Sequence, residues 1–473
     1  MAITKIAAPQ DFTPAYNPIK FLVDGTNKNL LGYKYIFDIY DSVTSIKIAE
    51  YRVFPEFSTG YGRIDLSKFL QTKVSYDSEL YGTIVYDAVN SYYKYDVKVG
   101  EEYITSITYT SSLINNSGNV RITATHSYVV GDQVRINQAD SGAANPNLEG
   151  LFTVLSIVGT TSFTVNSLWS QVTNASIDGT VSYSDNRKTI TPNILQLRGK
   201  YVFNGAKSFL DFIDWNQNNY ILNNNKDYLL TDMPQDGFYS TLNQDLIINF
   251  GNANVTTGFV YFQNDGGNLF SKDLNINAFI SGVPVGTNNY GSLTLISGSG
   301  VLVDNNTLYY DFWYADSVGS QKSRIYRVNI DQRCAIEDYS LLFLDRMGSY
   351  GSFAFQLRAY EKGTVQKQGF NRDIQGSVVS QEWEYSTEAF GQNIYSVNVN
   401  KTLELNTNWM TEEMSKYFEQ LVSSPLVYIK LPNNVYASVT INDSSFEVDK
   451  QRNKNLFKKS LTITYANQNT INV

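Results

Sequence analysis

The chain has 473 residues, 42% of them hydrophobic, and carries a net charge of −8 with no long run of either sign. That length exceeds one ordinary core and sets an expectation of three to four domains. The acidic balance argues against direct nucleic-acid binding, which wants a basic face. One cysteine, Cys334, excludes an intrachain disulfide, and with His126 the sole histidine a His/Cys zinc site cannot be assembled.

Only 17% of residues are charged, against a typical value of about 25%. Tyr (35) and Phe (26) are abundant in an Asn-, Gly- and Ser-rich background. Aromatic residues favour pleated, half-buried surfaces, and the background supplies turns, so the reading is mainly β. No stretch approaches about 18 continuous apolar residues, so no membrane insertion is expected. Met-Ala-Ile-Thr-Lys at the start lacks the apolar core of a secretory signal, so synthesis in a cytoplasm, with the protein soluble or assembling there, is expected.

Residues 1–112 read as an N-terminal β domain. Tyr33, Tyr35, Phe37 and Ile39 alternate with Lys34, Ile36, Asp38 and Tyr40, the period of a strand. Asp41-Ser42 turns the chain into a partner around Ile46 to Phe54, which Pro55 stops. Ile64, Leu66, Phe69 and Leu70 suggest a short amphipathic turn, and Val97, Val99, Tyr103, Ile104 and Ile107 fit a hairpin about Gly100-Glu101.

Residues 113–185 read as a small inserted β module, opened by the linker Asn115-Asn116-Ser117-Gly118. Val120 and Ile122, then Val129, Val130, Val134 and Ile136 about Gly131-Asp132, suggest short strands. Leu148 to Val154 continues into a hairpin through Gly159, finished by Phe163, Val165 and Val181.

Residues 186–335 read as a β-sandwich-like domain, with strands at Leu246–Ile248, Phe259–Phe262, Leu293–Ile296, Leu308–Tyr314 and Ile325–Ile330. Phe209, Phe212, Ile213 and Trp215 allow a short helix, and Asp265-Gly266-Gly267 is a hairpin turn. Residues 336–473 read as a C-terminal β domain with one helix near 411–423. Thr411 caps it, Glu412 and Glu413 suit its first turn, and Met414, Tyr417, Phe418, Leu421 and Val422 form one apolar stripe before Pro425. Strands at Val427–Leu431, Val435–Ile441 and Leu461–Tyr465 follow. The whole is several sandwich- or barrel-like domains in series.

Chemistry is sparse. A nucleophile normally needs a base within reach, and His126, at a predicted strand end, reads as a surface residue. Cys334 lacks a Cys-x-x-Cys partner and reads as an inert thiol. Gly205-Ala206-Lys207-Ser208 lacks the glycine spacing of a phosphate loop. Trp215, Trp313 and Trp383 suit cores, with sugar stacking as the alternative. Asp304-Asn305-Asn306 and Asp443 lack calcium-hand spacing. Paired carboxylates on a β scaffold remain open, because 45 acidic residues are too many to sort by sequence. No catalytic, cofactor-binding or metal-binding residue is assigned, no cofactor is expected, and the chain is not expected to be an enzyme.

Several segments resemble structural proteins of tailed bacteriophages that infect Bacteroidetes, including crAss-like phages. They are Asn17-Pro18-Ile19 with Phe21 to Asp24, Phe54-Pro55 and Gly60 to Ser67; Tyr201 to Gly205 with Leu229 to Pro234; Leu344 to Phe353; and Trp409 to Glu413 running to Ser423 to Tyr428. The closing Ile441 to Ser445 and Leu461 to Tyr465 belong with them, and the insert is similar to small β modules of phage tail proteins. The resemblance implies a virion tail, collar or baseplate subunit forming a multi-copy ring, with copies of itself and other tail proteins as partners. The alternatives are a tail-tip adhesin binding a host surface glycan and, behind it, a carboxylate-pair glycan depolymerase.

Overall fold

The computed structural model describes residues 3–77, 82–104, 106–109, 111–114, 119–138, 150–166, 179–183, 188–223, 227–252, 257–333, 336, 338–373, 376–385, 391–431, 434–442, 457–467 and 470–472. Strands take 53% of the chain and helices 7%, so the mainly β class expected from composition is the class that forms. Two compact units result. The first is Met1–Phe12, Pro18–Lys68 and Lys94–Tyr201, and the second is Thr13–Asn17, Phe69–Tyr93 and Val202–Val473.

In the first unit the predicted alternation becomes the strand Lys34–Asp41, antiparallel to Lys47–Val53 on one side and Tyr92–Ile104 on the other. Its central position buries both faces: Tyr35, Phe37 and Ile39 on one, Ile36 and Asp38 on the other. The hairpin expected about Gly100-Glu101 does not form, because Tyr92–Ile104 runs straight through it. A Cβ on Gly100 would lie 2.6 Å from the carbonyl oxygen of Thr191 in the neighbouring strand Lys188–Phe203. Glycine here permits close backbone approach and makes no turn. The two acids that follow are buried and paired. Glu101 accepts from the Tyr33 hydroxyl (3.1 Å) and the Asn27 amide (2.8 Å), and Glu102 pairs with Arg52.

Seven further strands of this unit form one sheet: Ser106–Tyr109, Ser111–Ile114, Val120–Thr123, Gln133–Gln138, Gly150–Val158, Ser162–Val165 and Gly179–Tyr183. They enclose their own apolar cluster of Val120, Ile122, Val134, Ile136, Val154, Phe163, Val165 and Val181. Val129 and Val130 are exposed and outside any strand, contrary to expectation. There the Asp132 carboxylate accepts the Val129 N–H (2.9 Å) and Gly131 takes φ +92°, so a turn replaces the strand. The expected linker Asn115–Gly118, and Leu148 and Glu149, lie outside the described residues.

The second unit is built from two sheets over one core. The smaller runs Phe238–Ser240, Tyr326–Ile330, Tyr309–Asp316, Thr257–Asn264, Leu269–Asn275, Thr294–Ser297. The larger runs Tyr360–Asn371, Gln392–Asn406, Ser460–Tyr465, Val435–Ile441, Val427–Leu431, Tyr339–Leu344, Tyr350–Phe355, Ile247–Gly251, Ile280–Pro284, Tyr86–Asp87. Phe262, Phe312, Tyr314 and Val328 of the first meet Phe250, Val283, Phe343 and Phe353 of the second in one apolar cluster. The Phe250 and Tyr314 rings lie 4.9 Å apart. Residues on both sides of position 335 contribute to it, so the strands beyond 336 complete the sandwich whose other strands precede them.

The helix forms as Glu412–Ser423, with the Thr411 hydroxyl accepting the Met414 N–H at 3.3 Å. Met414, Tyr417, Phe418 and Leu421 are its buried stripe, and Val422 is half-buried. Tyr417 packs between Phe238, Phe343 and Phe353 and lies against Gly351, where a Cβ would collide with its hydroxyl. Two buried cations also pin this unit. The Lys272 ammonium donates to the carbonyls of Thr83 (2.7 Å) and Tyr290 (2.8 Å), and Lys430 pairs with Asp245 at 3.2 Å, both side chains 5% exposed. Asp245 also accepts from Tyr436 and from the Asn288 amide (2.7 Å).

Several strands have no counterpart in the sequence pattern, among them those of one exposed ribbon. Tyr360–Asn371 and Gln392–Asn406 pair along their length as a ribbon, and all twelve residues of the first strand are exposed.

Lys430→Met strands a buried carboxylate and is expected to destabilise the second unit by about 3 kcal/mol. Thr411→Ala removes one helix cap and should cost about 1 kcal/mol. Thermal unfolding of the two variants checks both values, and their order is the sharper test.

Candidate functional site

Carboxylates are the one catalytic group type that sequence leaves open, and in the second unit two of them, Asp232 and Asp345, come together. The segment Asp345-Arg346-Met347-Gly348-Ser349 joins the antiparallel strands Tyr339–Leu344 and Tyr350–Phe355. Asp345 closes it: Oδ1 accepts the N–H groups of Met347 and Ser349, both at 2.9 Å, and Gly348 supplies φ +89°. Oδ2 accepts the Thr231 hydroxyl at 2.7 Å. The Ser349 hydroxyl donates to the Leu230 carbonyl (2.5 Å) and accepts the Asn249 N–H (2.7 Å). The Asn249 amide donates to the Gly348 carbonyl at 2.6 Å. Three separate chain segments are thereby tied at one point.

Asp345 is 4% exposed. Burial, and then the neighbouring Asp232 charge, push its carboxyl up to about 7. Asp232 is more open, with a side chain 23% exposed. It accepts from the Lys207 ammonium at 2.5 Å and from the Gln420 amide at 2.9 Å. Burial works against the Lys207 charge, but the Asp232 carboxylate outweighs it and holds the ammonium above its ordinary value. Gln420 Oε1 accepts the Arg346 N–H at 3.0 Å, so the helix is tied to the same point. The Tyr417 hydroxyl is raised well above its usual value by burial and then by the charges of Asp345 and Asp232.

A hydrolytic carboxylate pair must present both groups to the substrate. Asp345 is sealed under three donors, and Asp232 is engaged by a cation and an amide. Together they form a polar staple. Two clefts border it. One, of about 500 Å³, is lined by Asp232, Pro234, Asp236, Glu413 and Lys416. The other, of about 570 Å³, is lined by Tyr16, Tyr76, Asn204, Arg346, Gln420 and Pro425.

Of the candidate catalytic and ligand residues weighed from sequence, Lys207 alone meets the staple, while the resemblance segments Leu229 to Pro234 and Leu344 to Phe353 supply Thr231, Asp232, Asp345 and Ser349 to it. Ser208 caps the five-residue helix Phe209–Ile213, its hydroxyl accepting the Asp211 N–H at 3.2 Å, and Gly205 lies against the Phe203 ring. No phosphate cradle exists there. His126 is buried, which corrects the surface reading. It stacks on Tyr128 (5.7 Å), meets Phe163 edge-on (4.9 Å), and its Nδ1 accepts the Tyr128 N–H at 3.2 Å. Its imidazole is amphipathic enough to fill an aromatic core, a role that spacing cannot reveal.

Trp215 is buried against Tyr220, with ring centroids 4.7 Å apart. Trp313 is half-buried beside Tyr261 at 5.7 Å. Trp383 lies in the strand Glu382–Tyr385. The Asp304 carboxylate is consumed by its own turn, accepting from the Asn306 N–H (2.8 Å) and the Thr307 hydroxyl (2.9 Å). Cys334 and Asp443 lie outside the described residues. Among the described residues no group of three or more His, Cys, Asp or Glu is placed to hold a metal. Nor is any helix among them long and apolar enough to cross a membrane.

No family model and no curated protein matches the chain. Among solved structures it has a slight likeness to the phage phi92 endosialidase, at 10% identity over 99% of this chain and 69% of that one, with a TM-score of 0.15. A second is Escherichia coli alpha-2-macroglobulin activated by porcine elastase, at 9% identity over 98% and 44%, with a TM-score of 0.13. Likenesses of that size establish no shared fold.

The raised Asp345 carboxyl gives a pH dependence with a definite sign. Between about pH 4 and 7 the folded state holds a proton that the unfolded state releases, so raising the pH favours unfolding. The contribution is complete below about 4 and lost through about 7. Asp345→Asn keeps the acceptors for Met347 and Ser349 and removes the titration. The thermal midpoint of the native protein should fall from pH 5 to pH 8 by more than that of the variant; parallel curves would contradict the assignment.

Proposed function

We propose that this chain is a structural subunit of a tailed-phage virion, a tail, collar or baseplate element that assembles in multiple copies and performs no catalysis. The observation that carries the assembly reading is the ribbon of Tyr360–Asn371 and Gln392–Asn406. The second strand is held on its far side by Thr470–Asn472 at Ser396–Asn398 and by Ser460–Tyr465 at Thr402–Asn406. Where neither reaches, the ribbon is a two-stranded hairpin, marginally stable in water without an apolar face packed on something. Here the first strand is exposed at every position, including Val365 and Phe370, and Ile394 and Tyr395 of the second strand are exposed as well.

Tyr360–Asn371 is also the terminal strand of its sheet, with one row of backbone groups unpaired among the described residues. Such an edge pairs with another strand by main-chain hydrogen bonds, and alternate side chains set the register. Repetition of one such contact around an axis closes a ring. The staple-like use of Asp232 and Asp345 supports a non-catalytic role. The motif resemblance to phage structural proteins supports the virion setting.

Val365→Glu combined with Phe370→Glu changes only exposed side chains and places like charges along every copy of the edge. Mass measurement in native conditions should find multimers of the unaltered protein and monomers of the variant, with equal thermal midpoints. A strictly monomeric native protein absent from purified virions would sink the proposal.

A further inference from the structure

The geometry points to the 570 Å³ cleft beside Arg346 as a binding site for a carboxylate-bearing saccharide. Its volume lies within the range of small-ligand sites, about 300–1,000 Å³. The cleft is held open by what surrounds it. Gly205, Ala206, Ser423, Ser424 and Pro425 in its lining are small.

Two tyrosines stand in it with their rings in solvent, Tyr16 at 56% exposure and Tyr76 at 39%. Tyr16 is fixed by its N–H donating to the Gly205 carbonyl at 3.1 Å. Arg346 lines the same cleft, and its backbone is anchored on both sides. Its N–H donates to Gln420 Oε1 and its carbonyl accepts from the Ala206 N–H at 2.6 Å. Its guanidinium is exposed, and among the described residues no carboxylate pairs with it.

An anchored backbone carrying an unpaired planar cation suits a planar anion, and the guanidinium fork matches a carboxylate in two parallel hydrogen bonds. Charge complementarity therefore selects an acidic ligand. Exposed phenol rings offer flat apolar faces with hydroxyl rims, which fit the C–H face and hydroxyls of a pyranose. Ser75 and Asn204, both polar residues, also line the wall. A uronic-acid unit meets all three demands. The site is independent of assembly through the ribbon.

Titration calorimetry with digalacturonate, and with its methyl ester as the uncharged isostere, tests the assignment on the full chain. The native protein should bind the acid, and the ester about ten-fold more weakly or worse. Arg346→Gln should bind both forms equally, and Tyr76→Ala should weaken both. Circular dichroism confirms that each variant is folded. No heat with the acid at 10 mM (~10 mM being far above useful affinity), or a preference for the acid that persists in Arg346→Gln, overturns the proposal. So does a free acidic tripeptide that binds as well as digalacturonate.

Discussion

The second unit depends on one buried carboxylate. Asp345 holds the segment 345–349 in its turn, and that turn presents Ser349 to Leu230 and Asn249, and Arg346 to Gln420. The bonds from Ser349 and Arg346 join residues far apart in sequence. A buried polar network of this kind is secure only when every member is satisfied, because an orphaned group in low dielectric costs more than a made bond gains. The cost of burying the acid appears as its elevated proton affinity, and the three donors around it are what make that burial tolerable.

The fold class and the helix were legible in sequence because local rules decide them. Thr411, the acidic first turn and the 3.6-residue stripe fix the helix ends without help from packing. Val427–Leu431 and Val435–Ile441 were read at their observed limits because each is a short apolar run bounded by Pro425 and by Pro432-Asn433-Asn434. Gly100 misled because a glycine that permits a close neighbour looks the same in sequence as one that makes a turn. His126 misled because composition carries no information about which side of a module a residue faces.

The staple was the hardest to see. Asp232 and Asp345 are 113 positions apart and are brought together by long-range bonds, Thr231 to Asp345, Ser349 to Leu230, and Gln420 to both Asp232 and Arg346. Leu344 to Phe353 stood out as a motif, but its physical content, an Asp closing a turn with Gly at the left-handed position, becomes visible only in three dimensions. The ribbon escaped for a different reason. Its first strand, Tyr360–Asn371, buries neither face, so a pattern tuned to one buried face has nothing to find there, although Leu403 and Leu405 of the second strand alternate and are buried.

The order of strands in the larger sheet has a consequence for synthesis. Tyr86–Asp87 lies at one edge, while Leu461 and Ile463 complete the apolar cluster from the opposite end of the sequence. A nascent chain that has reached residue 455 already contains Leu341, Phe343, Tyr417 and Leu421, but not Phe457, Leu461 or Ile463 to cover them. The first unit and its module, made entirely of residues before 202, can close while the ribosome is still working. The second needs Phe457, Leu461 and Ile463 to cover its apolar cluster, so its interior closes only after the residues from 457 on have been made.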